Sequence, residues 1–139
     1  MSRFSRWLAP TAVARAHCDI PCGIYDPHAA QIGTRTVARM VELIGQLDPA
    51  STSLEDRQKF VRYVAVKEQH AEIVKREVQI IWSDYFKPVH LEKYPDLHTK
   101  VWNILKLASE NKQHIDADLA AKLEAQVKEF GDMFWETKK

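Results

Sequence analysis

Cys18 and Cys22 are the only two cysteines in this 139-residue chain, and both fall in HCDIPCGIYDP, residues 17–27, with His17 directly in front. Thiolate and imidazole are the side chains that bind borderline and soft metals, and thiolate is also the redox-active group of proteins. A Cys-x3-Cys pair by itself fits a metal site, two unpaired thiols or a local disulfide. Position favours the metal. Residues 1–16, MSRFSRWLAPTAVARA, carry Arg3, Arg6 and Arg15 and no acidic residue, and they end in the small-residue pattern Ala14-Arg15-Ala16. This reads as a leader whose removal makes His17 the first residue. A secretory signal needs an uninterrupted apolar stretch, whereas Trp7 to Ala14 is broken by Pro10 and Thr11. A cytoplasmic propeptide (1–16) ahead of a mature chain (17–139) is therefore expected.

With His17 at the N-terminus, one residue offers an imidazole and an α-amine, whose ordinary pKa of ~7.7–8.0 leaves free base near neutrality. Cys18 adds a thiolate and, against a metal able to displace its proton, a backbone amide nitrogen. Cys22 adds a second thiolate. Two nitrogens and two sulfurs in a plane, with an imidazole approaching axially, suit nickel or copper, while zinc prefers a tetrahedron. Nickel, one per chain, is the expected metal. Pro21 and Gly23 suit a tight turn, and Ile20-Pro21 is an expected cis peptide bond, since X-Pro alone adopts that form cheaply. A structural zinc site would need distant histidines, and two cysteines are too few for a three-cysteine cluster motif.

The rest of the chain must hold this loop. Its length suits one domain with a real core, and 45% hydrophobic residues with four tryptophans support a folded protein. A net charge of +1 gives no basic excess of the kind that binds nucleic acid. Three of the 20 basic residues leave with the leader, so 17 face 19 acidic ones, a formal charge of −2. No apolar run approaches the ~20 residues of a membrane-spanning helix, and so few cysteines point to a reducing compartment.

Asp26-Pro27 reads as an N-cap and first helical position. Val37, Met40, Val41, Ile44 and Leu47 then keep helical spacing as far as Asp48-Pro49. Ser53 and Asp56 resemble a capping box. Phe60, Val61, Val64, Ala71, Val74, Val78, Ile81, Trp82 and Tyr85 mark one stripe of a long helix that stops before Pro88. A third helix begins near Pro95-Asp96 with Leu97, Val101, Ile104, Leu105 and Ala108 inward. A fourth begins near Asp116 with Leu119, Leu123, Val127, Phe130 and Phe134 inward. The expected fold is all-α, an antiparallel up-down four-helix bundle preceded by an N-terminal metal-binding hook.

At residues 17–27 the sequence resembles the nickel superoxide dismutases, whose mature chains begin with a nickel hook of the form His-Cys-Asp-x-Pro-Cys-Gly-x-Tyr-Asp-Pro. The likeness continues through VKEQHAE (66–72), WSDYFKPVHLEKYPDLH (82–98) and FWETKK (134–139). The resemblance implies a homohexamer of four-helix bundles, a leader-processing protease, and nickel cycling between Ni(II) and Ni(III) to convert superoxide to oxygen and peroxide. It gives His17 the amine and axial imidazole, Cys18 an amide nitrogen and a thiolate, and Cys22 a thiolate. Tyr25 stands near the open face of the metal, as the candidate for positioning the anion or ordering water. Tyr85 and Lys87 become candidate supporting and steering groups, although Trp82, Tyr85 and Phe86 are equally explained by packing. The alternative of another class is a nickel storage or delivery protein without turnover.

The resemblance breaks at two positions. In the family, a glutamate in the first helix and an arginine in the EQxAE stretch hold the axial imidazole; the matching residues here are Gly33 and His70. Either His70 takes over that hydrogen bond or the ligand is held more loosely. His28, His90, His98 and His114 are read as structural or surface residues.

Overall fold

The computed structural model describes residues 23–139. Helix α1 spans His28–Gly45, α2 Leu54–Ile80, α3 Pro88–Lys93, α4 Leu97–Gln113 and α5 Ala117–Glu136, and no strand occurs among the described residues. The four long helices pack in a ring, α1 on α2, α2 on α4, α4 on α5 and α5 on α1, as an up-down bundle with short connections requires.

Local chemistry sets the helix starts. Asp26 Oδ1 accepts the His28 N–H at 2.7 Å, with Pro27 in the cap position, so α1 begins one residue later than expected. Ser53 caps α2 through the Asp56 N–H at 3.4 Å, and Asp116 Oδ1 accepts the Asp118 and Leu119 N–H groups at 2.8 and 3.1 Å at the head of α5.

The end of α2 departs from the expected plain stop before Pro88. It widens into a π-turn over Ile81–Tyr85, where the Phe86 N–H reaches the Ile81 carbonyl at 3.2 Å. Pro88 then opens α3, since proline at a first helical position gives up no hydrogen bond. The Lys87 N–H donates to His90 Nδ1 at 3.1 Å, and the Lys87 carbonyl accepts the His90 N–H at 2.8 Å.

The expected core is corrected at the start of α2. Phe60 and Val61 are 43% and 66% exposed, and no side chain of α2 is fully buried before Lys67. With 27 residues, α2 runs ~40 Å at 1.5 Å per residue, well beyond the ~26 Å of α4, so its first turns overhang the bundle. On α4 and α5, Leu105 and Leu119 are half-buried at the core's edge, while Leu107, absent from the expected stripe, is buried.

Helices α1 and α2 approach closely at Gly33. A Cβ there would lie 2.7 Å from Val74 Cγ2 and 3.2 Å from the His70 carbonyl oxygen, so only glycine fits without displacement.

Candidate metal centre

His17, Cys18, Cys22 and the Ile20-Pro21 bond lie outside the described residues, which begin where the loop enters the bundle. Gly23 has φ +95°, a left-handed conformation open to glycine at little cost. It turns the chain directly after Cys22. Ile24 is 65% exposed, and Tyr25 is only 4% exposed. The loop is thus rooted at Tyr25, three positions after the second thiol.

The root is built from aromatic rings. Tyr25 lies 5.8 Å, centroid to centroid, from Tyr85, and Tyr85 lies 4.4 Å from Phe134 and 5.4 Å from Phe86. Such tilted contacts place ring edges against ring faces. His90 stacks on Tyr85 at 5.7 Å; because its Nδ1 accepts the Lys87 N–H, its own proton sits on Nε2. The Tyr85 hydroxyl lies 2.8 Å from Thr137 Oγ1, and that hydroxyl donates to the Phe134 carbonyl at 2.7 Å. Tyr85 is therefore the donor in their pair. The π-turn that ends α2 delivers Tyr85 to this place, where it packs against Tyr25 and Phe134. Lys87 is exposed at the edge of the same cluster.

A contact with the chain's far end was not foreseen. Lys138 Nζ donates to the Tyr25 carbonyl at 3.2 Å. A nearby carboxylate lies outside the root: Glu136 accepts from the Tyr94 hydroxyl and, at 3.1 Å, from Lys93. The Tyr94 hydroxyl, then Lys93, holds its pKa below the usual carboxylate value.

Gly33 and His70 are brought together, as their pairing in the resemblance requires. His70 Nδ1 donates to the Val66 carbonyl at 2.9 Å within α2, which occupies that nitrogen inside its own helix. Val74 occupies the space where a side chain at position 33 would begin. The departure is thus a packing change as well as a lost carboxylate. Among the remaining histidines, His98 accepts the Trp82 Nε1–H at 2.8 Å, and His28 and His114 are exposed.

Among the described residues, no group of three or more His, Cys, Asp or Glu side chains could hold a metal ion. In sequence, the loop before Gly23 supplies His17, Cys18 and Cys22. Two thiols and an imidazole are donors of the softness that nickel accepts, and the residues present fit that ion.

Comparison with known proteins points to the same metal. Residues 12–138 match the family model for nickel-containing superoxide dismutase. A nickel superoxide dismutase of Streptomyces coelicolor is 41% identical over 136 residues, covering 97% of this chain and 98% of its own. One from Streptomyces seoulensis is 39% identical over 135 residues, covering 97% of this chain and 98% of its own. A native nickel superoxide dismutase crystal structure superposes with a TM-score of 0.76 at 39% identity, covering 88% of this chain and 100% of that one. By sequence along nearly its whole length and by fold, the chain belongs to the nickel-containing superoxide dismutase family.

Proposed function

We propose that His17, Cys18 and Cys22 hold the nickel of a superoxide dismutase, with Tyr25 beside the substrate, once residues 1–16 have been removed. The observation that carries this reading is the root: HCDIPCG runs straight into a residue whose ring and carbonyl are both fixed. The dismutation joins two superoxide anions and two protons into one oxygen and one peroxide. The site must therefore admit an anion, supply protons, and pass one electron in each direction. Nickel, when bound, supplies the one-electron couple between Ni(II) and Ni(III).

The chain's own groups do the rest. Two thiolates and a deprotonated amide of Cys18 are anionic donors that favour the higher charge state, and the His17 imidazole adds a neutral one. The α-amine of His17 is a donor only after cleavage, because in the precursor that nitrogen is an amide bonded to Ala16. Tyr25 positions the anion or orders the water that brings protons. The backbone N–H groups of Asp19 and Cys22 guide the anion inward, and Lys87 draws it from solvent as an exposed cation. Thiols facing peroxide oxidise readily, so the loop needs cover. We place that cover in a homohexamer, in which neighbouring chains close over the hook; the exposure of Ile24 supports it. The native crystal chain, covered in full, leaves 12% of this chain, about 17 residues, unmatched. That length supports a leader of residues 1–16, taken off by a dedicated protease. So few cysteines favour a reducing compartment, and the proposed location is the cytoplasm. No helix among the described residues is long and apolar enough to cross a membrane.

The test compares purified chains that begin at Met1 and at His17, each incubated with nickel. The chain beginning at His17 is expected to bind one nickel and consume superoxide. The chain beginning at Met1 is expected to keep its helicity and lose the activity. Equal activity in both would refute the role of the α-amine, and one nickel per mature chain without turnover would leave a storage or delivery protein.

A further inference from the structure

Lys138 stands one residue from the chain's end, where a lysine ordinarily reaches into water. Here its Nζ is held. It lies 4.6 Å from the centroid of Phe134, 5.4 Å from that of Trp135 and 5.7 Å from that of Tyr85, and it donates to the Tyr25 carbonyl at 3.2 Å across 113 positions of sequence. The faces of aromatic rings attract a cation, and a carbonyl oxygen completes the cradle. Two of these rings, Tyr85 and Phe134, are the same ones that brace the Tyr25 side chain or its neighbour.

We infer that Lys138 is a positioning residue for the metal-binding loop, fixing the Tyr25 peptide and hence the direction in which the loop leaves the bundle. The inference rests on the reading of His17, Cys18 and Cys22 as the nickel ligands. Three residue steps separate Tyr25 from Cys22, a reach of at most about 11 Å, so the Tyr25 peptide sets the point from which the loop departs. Downstream, that peptide is already constrained: the Asp26 carboxylate accepts the His28 N–H and Pro27 is buried. Upstream, Gly23 is free to turn and Ile24 is exposed. Lys138 closes the gap between these two regimes. It acts through the backbone of Tyr25 and touches neither substrate nor metal in this role.

The experiment uses the full mature chain with two substitutions. Lys138→Met keeps the stem over the rings and removes the donor and the charge; Lys138→Arg keeps both. Nickel release to an excess of chelator is followed, together with hydrogen exchange at the Ile24, Tyr25 and Asp26 amides and the thermal midpoint, the last two without metal. Lys138→Met is expected to release nickel about 10-fold faster, the lower end of what losing an outer partner of a metal ligand does. Exchange at the three amides should quicken while the thermal midpoint holds, and Lys138→Arg should restore the wild-type behaviour. Release and exchange at wild-type rates in Lys138→Met would overturn the inference. Faster release accompanied by a fallen midpoint would also overturn it, since the lysine would then be holding the whole bundle. A wild-type chain that takes up no nickel sinks the ligand reading, while the exchange comparison still decides whether Lys138 holds the root.

Discussion

The two ends of the bundle treat the same kind of residue in opposite ways. At the hook end, the rings of Tyr25, Tyr85, Phe86, Phe130 and Phe134 interlock with centroids 4.4 to 5.8 Å apart, and Phe134 is wholly buried. At the other end, Phe60 and Val61 on the overhang of α2 border an open groove with Ile44, Leu47 and Pro49, and Leu54 is 80% exposed. Burial of apolar area is thus concentrated where a loop has to be held still. The contrast shows that an apolar stripe specifies a face to be covered, whereas the lengths of the neighbouring helices decide how much of it this chain covers itself.

Phenylalanine-to-alanine substitutions at both ends give the largest difference. Phe134→Ala opens a cavity in a packed cluster and is expected to cost about 3–5 kcal/mol. Phe60→Ala removes a ring already half in water and should cost about 0.5 kcal/mol or less. Urea unfolding of the two variants at equal chain concentration measures both. A Phe60→Ala loss as large as that of Phe134→Ala would mean that a neighbouring chain covers the groove and that the two ends are equally buried in the assembly.

Between the ends sits a polar device. Lys67, 1% exposed, sends its ammonium to the carbonyls of Asn111, Lys112 and His114, the last two at 3.1 and 2.8 Å, where α4 runs out of its own N–H partners. Asn111 Nδ2 donates to the Leu107 carbonyl at 2.9 Å and the Leu119 carbonyl at 3.0 Å, which carries the link on to α5. Burial pushes the Lys67 pKa down, with Glu68 opposing, and the three carbonyls also favour the charged form. Lys67→Met keeps the bulk and leaves those carbonyls without their donor, at an expected cost of about 2–3 kcal/mol. That places it between the two phenylalanines. Denaturant unfolding checks the rank, and a Lys67→Met chain as stable as wild type would show that water or a shifted α4 end replaces the ammonium.

How much of this was legible depended on sequence distance. The caps at Ser53 and Asp116 and the breaks at Pro49 and Pro88 act within a few residues, so the four long helices could be read directly. Helix α3 could not, because Lys87-Pro88 is a stop for one helix and a start for the next. The π-turn rests on one added residue that leaves no pattern. Lys67 reads as an ordinary helix lysine until α4 is placed beside it. The proposed donor set declares itself because His17, Cys18 and Cys22 are neighbours in sequence. The bond from Lys138 to Tyr25 spans the chain and carries no local signal. Gly33 falls between these cases: its missing carboxylate is visible against the resemblance, while Val74 filling the space is a fact of packing.

The smallest expected effect lies at the rim of the hook end, where Glu136 on α5 meets Lys93 and Tyr94 at the end of α3. The Tyr94 hydroxyl, followed by Lys93, lowers the Glu136 pKa, and the same bond raises that of Tyr94. A carboxylate whose folded pKa lies below its unfolded one binds fewer protons when folded, so stability rises with pH between the two values. The contribution is therefore fully present above the ordinary carboxylate value and is lost as pH falls through the lowered one. Tyr94→Phe removes the larger cause and should move the Glu136 titration up toward the ordinary value, with a slight loss of stability at neutral pH that disappears in acid. Lys93→Met should move it less. Carboxyl carbon NMR of Glu136 against pH reads both shifts directly. Because these side chains are largely in water, the effect on unfolding is small, and it is the order of the two variants that tests the geometry. A larger shift in Lys93→Met than in Tyr94→Phe would assign the rim contact to charge rather than to the hydroxyl.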